Sequence, residues 1–402
     1  MILQSQLAEI LDAQYLTFTN KKLGQKREKL AKLKLVINFA LIITGVRRCG
    51  KTTLLYQLLN ENLSHVLFLN FEDTRLVNFE NDDFVRLIAE IKARSITTLF
   101  FDEIQLMPNW ELFVRQLLDD DYKVVITGSN ATLLSTELGT KLTGRHLSTE
   151  LFPFSYQEFL AFKTLENTAD SLQLYLKQGG FPEYLKTGDG MILNQLLDDI
   201  LNRDIAVRYN VRDVSTLKKL ATYLISNIGK PVSGNKLKEV FGIKSTTTIL
   251  EYFSYLENTY VIQFVSKFSY SIKTQIRNPK KVYTIDLGLF TENSIVFSDE
   301  NGRRLENLVY LYLRTNYSEI YYFAEKKECD FVVMQKGKVV ELLQVCYELN
   351  AENMEREIAG LTEAMDFFDL KEAKIISFNQ KEIFNKDGKI INVIPANEFI
   401  VS

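Results

Sequence analysis

The sequence predicts an α/β fold that opens with a parallel sheet, covered by helices on both faces, and continues into smaller helical and α/β units. Three observations predict it. Between residues 39 and 130 the apolar runs Phe39–Thr44, Val66–Phe71, Thr98–Phe101 and Val124–Thr127 alternate with helical stretches. Near-continuous apolar strands between helices belong to parallel sheets buried on both faces. The first run leads into Gly45-Val46-Arg47-Arg48-Cys49-Gly50-Lys51-Thr52-Thr53 and then into the helical run Leu54–Leu59. That segment reads G-x-x-x-x-G-K-[ST], and strand, glycine-bounded loop and helix are the setting of a phosphate-binding P-loop. The third run ends in the paired carboxylates Asp102 and Glu103.

Composition bounds the rest. A chain of 402 residues holds more than one domain, and an apolar fraction of 46% supplies ample core. The net charge of −3 excludes a polycation, so any nucleic-acid contact must come from local basic patches. Three cysteines, Cys49, Cys329 and Cys346, are too scattered for a disulfide framework or a zinc site. Two histidines, His65 and His146, leave little room for Ser-His-Asp, Cys-His or multi-histidine metal chemistry. No signal-peptide pattern and no bilayer-length apolar run is present. A reduced cytoplasm, with no membrane partner, is the expected setting.

Taken in order, residues 21–34 form a basic run with Glu28 as its one acid. It reads equally as a helix beside the nucleotide site or as a solvated face. In the P-loop, Gly45 and Gly50 let the backbone wrap closely, so that its N–H groups face phosphate oxygens at a helix N-terminus. Lys51 is expected to reach the β- and γ-phosphates of ATP, and Thr52 to ligate Mg²⁺. Thr98-Leu99-Phe100-Phe101-Asp102-Glu103 is a Walker B pattern. Asp102 is the expected holder of Mg²⁺ and Glu103 the expected general base toward water. In Val124-Val125-Ile126-Thr127-Gly128-Ser129-Asn130 a polar residue at the strand end can contact the γ-phosphate or the lytic water. Ser129 is the first choice and Asn130 the reserve.

On these residues the chain resembles the AAA+ superfamily, in particular prokaryotic ATPases marked by a G-V-R-R-x-G-K-T loop, a D-E-x-Q Walker B and an L-T-G-R segment. Here these are Gly45–Thr52, Asp102-Glu103-Ile104-Gln105 and Leu142-Thr143-Gly144-Arg145. The resemblance continues through Phe152-Pro153-Phe154-Ser155 and Gly179-Gly180-Phe181-Pro182-Glu183-Tyr184. It implies an ATPase core over 1–156, a helical lid over 157–228, and a further C-terminal region. It also implies that Arg145 is an arginine finger acting on a neighbour's γ-phosphate, which requires a homo-oligomer.

Residues 229–290 read as a winged helix. A short helix around 232–240, a turn, and a second helix over 246–256 precede the strands Val261–Phe268 and Lys281–Ile285. Between the strands, Lys267, Lys273, Arg277, Lys280 and Lys281 occur without an acid, which fits a wing loop on DNA phosphates. The second helix is rich in threonine and aromatics rather than arginine, so a protein partner stays open. Residues 291–402 form the last unit, and 300–348 resemble the PD-(D/E)xK nuclease fold of restriction endonucleases. Glu306 on a helix, Asp330 on a strand, and Gln344 and Cys346 fill its positions. Gln344 supplies no charge to a metal, and Cys346 replaces the lysine. Glu341 lies three residues from Gln344 and so faces the other way along a strand. The expectation is a silent nuclease-like module. The function expected is therefore an oligomeric ATPase coupling turnover to DNA. The alternatives are a nucleotide-gated switch for a protein partner in signalling or defence, and an ATPase-coupled nuclease.

Overall fold

The computed structural model describes residues 1–61, 64–129, 141–295 and 300–401. The chain forms two units, Met1–Pro153 and Phe154–Ser402. In the first, β1 (Ala40–Thr44), β2 (Val66–Asn70), β3 (Thr98–Asp102), β4 (Lys123–Gly128) and β5 (His146–Glu150) form a parallel sheet in the order β2-β3-β4-β1-β5. The four strands expected are present. β1 and β3 are buried at every position, which is why they read as unbroken apolar runs. On one face Ala40, Ile42, Leu99, Phe101, Val124 and Ile126 pack with Trp110 and Phe113. On the other, Phe68 meets Phe18 and also Tyr56 of the helix Lys51–Asn60. Each such fully buried side chain is worth roughly 1.5–3 kcal/mol over an exposed one. The register pairs Thr44 with Gly128 and Phe101 with Ile126, so the segments after β1, β3 and β4 leave the sheet at one edge.

The second unit begins with helices Tyr156–Lys163, Ala169–Gln178, Pro182–Thr187, Met191–Asp199 and Val214–Ser226. Its described residues then build a nine-stranded mixed sheet. The strands are β6 (Pro231–Val232), β7 (Ile262–Lys267), β8 (Lys280–Thr284), β9 (Glu319–Ala324), β10 (Glu328–Gln335), β11 (Lys338–Val345), β12 (Glu372–Ser377), β13 (Glu382–Lys386) and β14 (Lys389–Pro395). Their order is β13-β14-β12-β11-β10-β9-β7-β8-β6. The two helices read between 232 and 256 lie at Gly234–Val240 and Thr246–Asn258, and Ser233 and Ser245 cap their first turns. β7 pairs in parallel with β9 through Ser266–Tyr321 and Lys267–Tyr322. One sheet thus takes strands from both sides of residues 290/291, which themselves lie in the helix Leu287–Asn293. The segment between β7 and β8 departs from the expected open loop, because Ser271 caps a short helix, Ile272–Arg277.

The Phe-Pro-Phe-Ser and Gly-Gly-Phe-Pro segments meet in space. Gly180 O accepts from Phe154 N at 2.8 Å, and Phe154 O accepts from the Tyr175 hydroxyl at 2.7 Å. Asp286 closes the junction by accepting from the N–H groups of Gly180, Gly288 and Leu289 at 2.6, 2.8 and 3.2 Å. Gly179 has φ +67°, and a Cβ there would lie 2.4 Å from an Asp286 oxygen. Only glycine meets both demands. No described helix is long and apolar enough to cross a membrane.

Candidate active site

The shared edge of the parallel sheet gathers the expected nucleotide residues. Gly45 has φ +153°, and a Cβ there would sit 2.1 Å from Leu151 O, so the loop lies directly on the chain leaving β5. The buried Cys49 donates Sγ–H to the same carbonyl at 3.3 Å, and burial pushes its thiol pKa up. Gly50 then starts the helix Lys51–Asn60. Lys51 is buried, with Nζ donating to Gly45 O at 3.0 Å and Val46 O at 3.1 Å, and Glu103 Oε1 lies 4.0 Å away. Arg47 faces Glu72 at 3.7 Å. Val46 is buried, Arg48 is exposed, and Thr53 is half-buried.

Asp102, at the end of β3, is 1% exposed. The Thr52 hydroxyl donates to its Oδ2 at 2.8 Å, and the Thr127 hydroxyl donates to its Oδ1. Thr127 Oγ1 also accepts from Glu103 N at 3.1 Å. Burial raises the Asp102 pKa to about 6, and the bond from Thr127 opposes the rise. Glu103 follows in left-handed backbone, φ +52°, a conformation that costs a non-glycine residue of order 1 kcal/mol or more. The Gln105 side chain donates to its carboxylate. Ser129 is buried just beyond Gly128, which pairs with Thr44, so it borders the P-loop. Asn130 lies outside the described residues.

Arg145 lies elsewhere. Its carbonyl accepts from Ala40 N at 3.1 Å, at the start of β1. The P-loop leaves the other end of that strand, about 13 Å along at ~3.3 Å per residue. Its guanidinium pairs with Asp119 at 2.8 Å.

Two residues of this site escaped the sequence reading. Thr127 closes the apolar run Val124–Thr127, and the reading of that strand end named Ser129 and Asn130 without it. Arg27 belongs to the basic run and is tied to the loop. It is buried, with Nη1 donating to Cys49 O and Nη2 to Phe152 O, each at 2.7 Å. Gln57 holds the same segment by donating to Leu23 O and Gln25 O and accepting from Arg27 N.

The expected DNA patch needs correction. Lys281 is 1% exposed, and its Nζ lies 2.7 Å from Asp330 Oδ1, 3.1 Å from Glu306 Oε1 and 2.7 Å from Glu328 Oε1. Burial alone would lower its pKa, but Asp330 and Glu306 outweigh that and hold it well above the ordinary lysine value. It cannot touch a phosphate backbone. Lys267 pairs with Glu325 at 3.1 Å, Lys280 is half-buried, and Lys273 and Arg277 are exposed on the short helix. Glu306 and Asp330 meet at Lys281, and Gln344 lies against Asp330. Asp330 Oδ2 accepts from Val345 N at 2.9 Å, and Gln344 Oε1 accepts from Asp330 N at 3.2 Å. Cys346 is buried, its Sγ donating to Glu348 O at 3.2 Å. Glu341 meets Lys374 at 2.8 Å instead.

Comparison with known proteins agrees with the first unit. A family model described as an AAA domain matches residues 38–160, and one described as a domain of unknown function (DUF8612) matches 169–299. The chain is 37% identical over 395 residues to the uncharacterized protein MJ1544 of Methanocaldococcus jannaschii, covering 90% of this chain and 88% of that protein. It is 32% identical over 335 residues to an uncharacterized protein of Haemophilus influenzae, covering 78% and 83%. Among solved structures, AMPPCP-bound DnaA from Aquifex aeolicus aligns at 16% identity and TM-score 0.28, over 62% of this chain and 88% of that one, a likeness too distant to carry an argument. The chain belongs to the family of MJ1544, and its first unit is a nucleotide-binding AAA domain of the P-loop ATPase type.

Proposed function

We propose that the protein is an oligomeric ATPase of the AAA+ type that couples ATP hydrolysis to binding or remodelling of DNA through its second unit. The observation that carries the hydrolytic part is the Thr52–Asp102–Thr127 chain beside Lys51 and Glu103. A buried carboxylate with a hydroxyl on each oxygen is a hard-oxygen donor set that fits Mg²⁺. Thr52 and Asp102 would hold the ion, which supplies charge neutralisation at the β- and γ-phosphate oxygens when bound. The backbone of Gly45–Thr53 cradles the phosphates, and Lys51 exchanges its two carbonyl partners for them. Glu103, kept in place by Gln105 and by its N–H bond to Thr127, accepts the proton of the attacking water. Ser129 orients that water or the γ-phosphate. Arg145 completes the site of a neighbouring subunit.

The DNA part rests on Lys273, Arg277 and Lys280, now without Lys281. The ATPase rate with and without linear, single-stranded and branched DNA tests it. Strong stimulation by one form is expected, and a rate unchanged from the DNA-free value with all three would remove DNA from the reading. Charge reversal by Lys273→Glu with Arg277→Glu should weaken DNA binding and lower the salt slope by about 2. A second reading, a nucleotide-gated switch on a protein partner, draws on the same segment. Tyr270, Ile272 and Ile276 are 81%, 73% and 71% exposed there, and apolar exposure of that degree suits a protein surface better than a phosphate backbone. Unchanged DNA affinity in the double reversal would favour it.

A further inference from the structure

The nuclease-like cluster invites a divalent cation between Glu306 and Asp330, and the residues around that point do not fit one. We propose that the Lys281 ammonium occupies the place of the metal. The centre is then a sealed ion-pair hub that locks β8 to the helix Asn301–Asn316 and to β10, not a phosphodiester-cleaving site.

The stereochemistry supports this. An ammonium has three N–H donors and no acceptor. Lys281 places three carboxylate oxygens, of Asp330, Glu306 and Glu328, within 2.7–3.1 Å. Two of its N–H groups donate to Asp330 and Glu306, and the Glu328 carboxylate is a third close anion. An Mg²⁺ between the same oxygens needs contacts of about 2.0–2.1 Å and several waters, and the ammonium fills that space. The remaining positions are also committed. Tyr283 donates to Glu306 Oε1 at 2.7 Å, and Asp330 Oδ2 accepts from Val345 N. Gln344 is turned to a backbone N–H and, through Nε2 at 2.7 Å, to Glu357 on the helix Met354–Phe368.

Access decides between a structural lysine and a displaced catalytic one. A lysine that assists attack on a phosphodiester must meet substrate and water. Side-chain exposure is 1% for Lys281, 8% for Asp330 and 14% for Glu306, and of this group Glu328 alone is well exposed, at 46%. The face of the Tyr322 ring lies 5.8 Å from Nζ. The lysine beside Asp330 thus comes from β8, 49 residues earlier in the chain, and not from position 346, and it lies inside the protein.

The test counts metal and follows stability on the full chain. Free Mn²⁺, measured by electron paramagnetic resonance, should give the same bound stoichiometry for wild type and Asp330→Asn, because the Walker site is common to both. Plasmid DNA with Mn²⁺ should stay intact. One more Mn²⁺ in wild type than in Asp330→Asn, or nicking that Asp330→Asn abolishes, would overturn the proposal. Lys281→Met leaves the buried carboxylates uncompensated, so Tm should fall by about 10 °C. Millimolar Mn²⁺ should raise the Tm of Lys281→Met by more than it raises that of wild type, in which the Walker site alone takes the ion. Unchanged stability in Lys281→Met would also sink the hub. Should that variant fail to fold, Lys281→Met combined with Glu306→Gln and Asp330→Asn, which removes the charges together, is expected to fold. Failure of the neutral triple variant would count against the charge argument.

Discussion

At the residue scale, Asp102 shows how the candidate nucleotide site strains its own fold. Burial raises its pKa from the ordinary carboxylate value to about 6, so the folded chain holds a proton between about pH 4 and 6 that the unfolded chain has released. This group's contribution is therefore greatest below pH 4 and falls as pH rises through 6. At pH 7 the ionised Asp102 is a liability. Asp102→Asn should raise the Tm of the ligand-free protein, by up to about 1–3 kcal/mol in stability, while abolishing Mg²⁺-dependent turnover; a thermal melt and an ATPase assay check both. Thr127→Val removes the bond that opposes the rise and leaves Glu103 N without its partner. The acidic limb of kcat/KM for ATP should then move to higher pH, as a pH–rate profile would show. Glu103→Gln should retain ATP binding and lower turnover by about 10²–10⁴-fold. Unchanged hydrolysis in a single-turnover assay would take Glu103 out of the base role.

At the scale of elements, a helix start, a turn and a loop in the second unit depend on one carboxylate. Asp286 caps the helix Leu287–Asn293 through Gly288 and Leu289 and holds Gly180. Asp286→Ala should cost about 3 kcal/mol, or roughly 5–10 °C in Tm, measured by calorimetry. Asp286→Asn, which keeps one acceptor oxygen, should cost less. The Gly179-Gly180 and Phe-Pro-Phe-Ser segments were legible as motifs, but their meeting point was not, because Asp286 lies 106 residues beyond Gly180. Legibility followed burial pattern. β1 to β4 are apolar along their length and could be read directly. β5, His-Leu-Ser-Thr-Glu at a sheet edge, carries too few apolar side chains to announce a strand. Lys281 failed for the opposite reason. In a short window it belongs to a basic patch, and the acids that bury it come from elements 25 and 49 residues away. Local charge counting cannot detect a long-range ion pair.

At the scale of the whole molecule, the proposed role of Arg145 requires a second copy of the chain. Arg145 stands at the N-terminal edge of the parallel sheet, and the P-loop, Asp102 and Glu103 stand at the C-terminal edge. Within a chain the sheet separates them. A neighbouring copy that sets its N-terminal edge against this C-terminal edge would bring Arg145 to the γ-phosphate, a heterologous contact of the kind that closes rings. Its present partner, Asp119, is 59% exposed, and such surface pairs are exchanged at little cost. Arg145→Ala should therefore leave ATP binding intact and lower turnover by about 10³-fold. Lys51→Ala removes the phosphate lysine but leaves Arg145 free to serve a neighbour. Mixing the two inactive variants then creates interfaces that join an intact P-loop to an intact Arg145. Turnover should reappear, peaking at intermediate mixing ratios, with sedimentation confirming mixed oligomers. If mixed oligomers form and no activity returns at any ratio, Arg145 does not act across subunits.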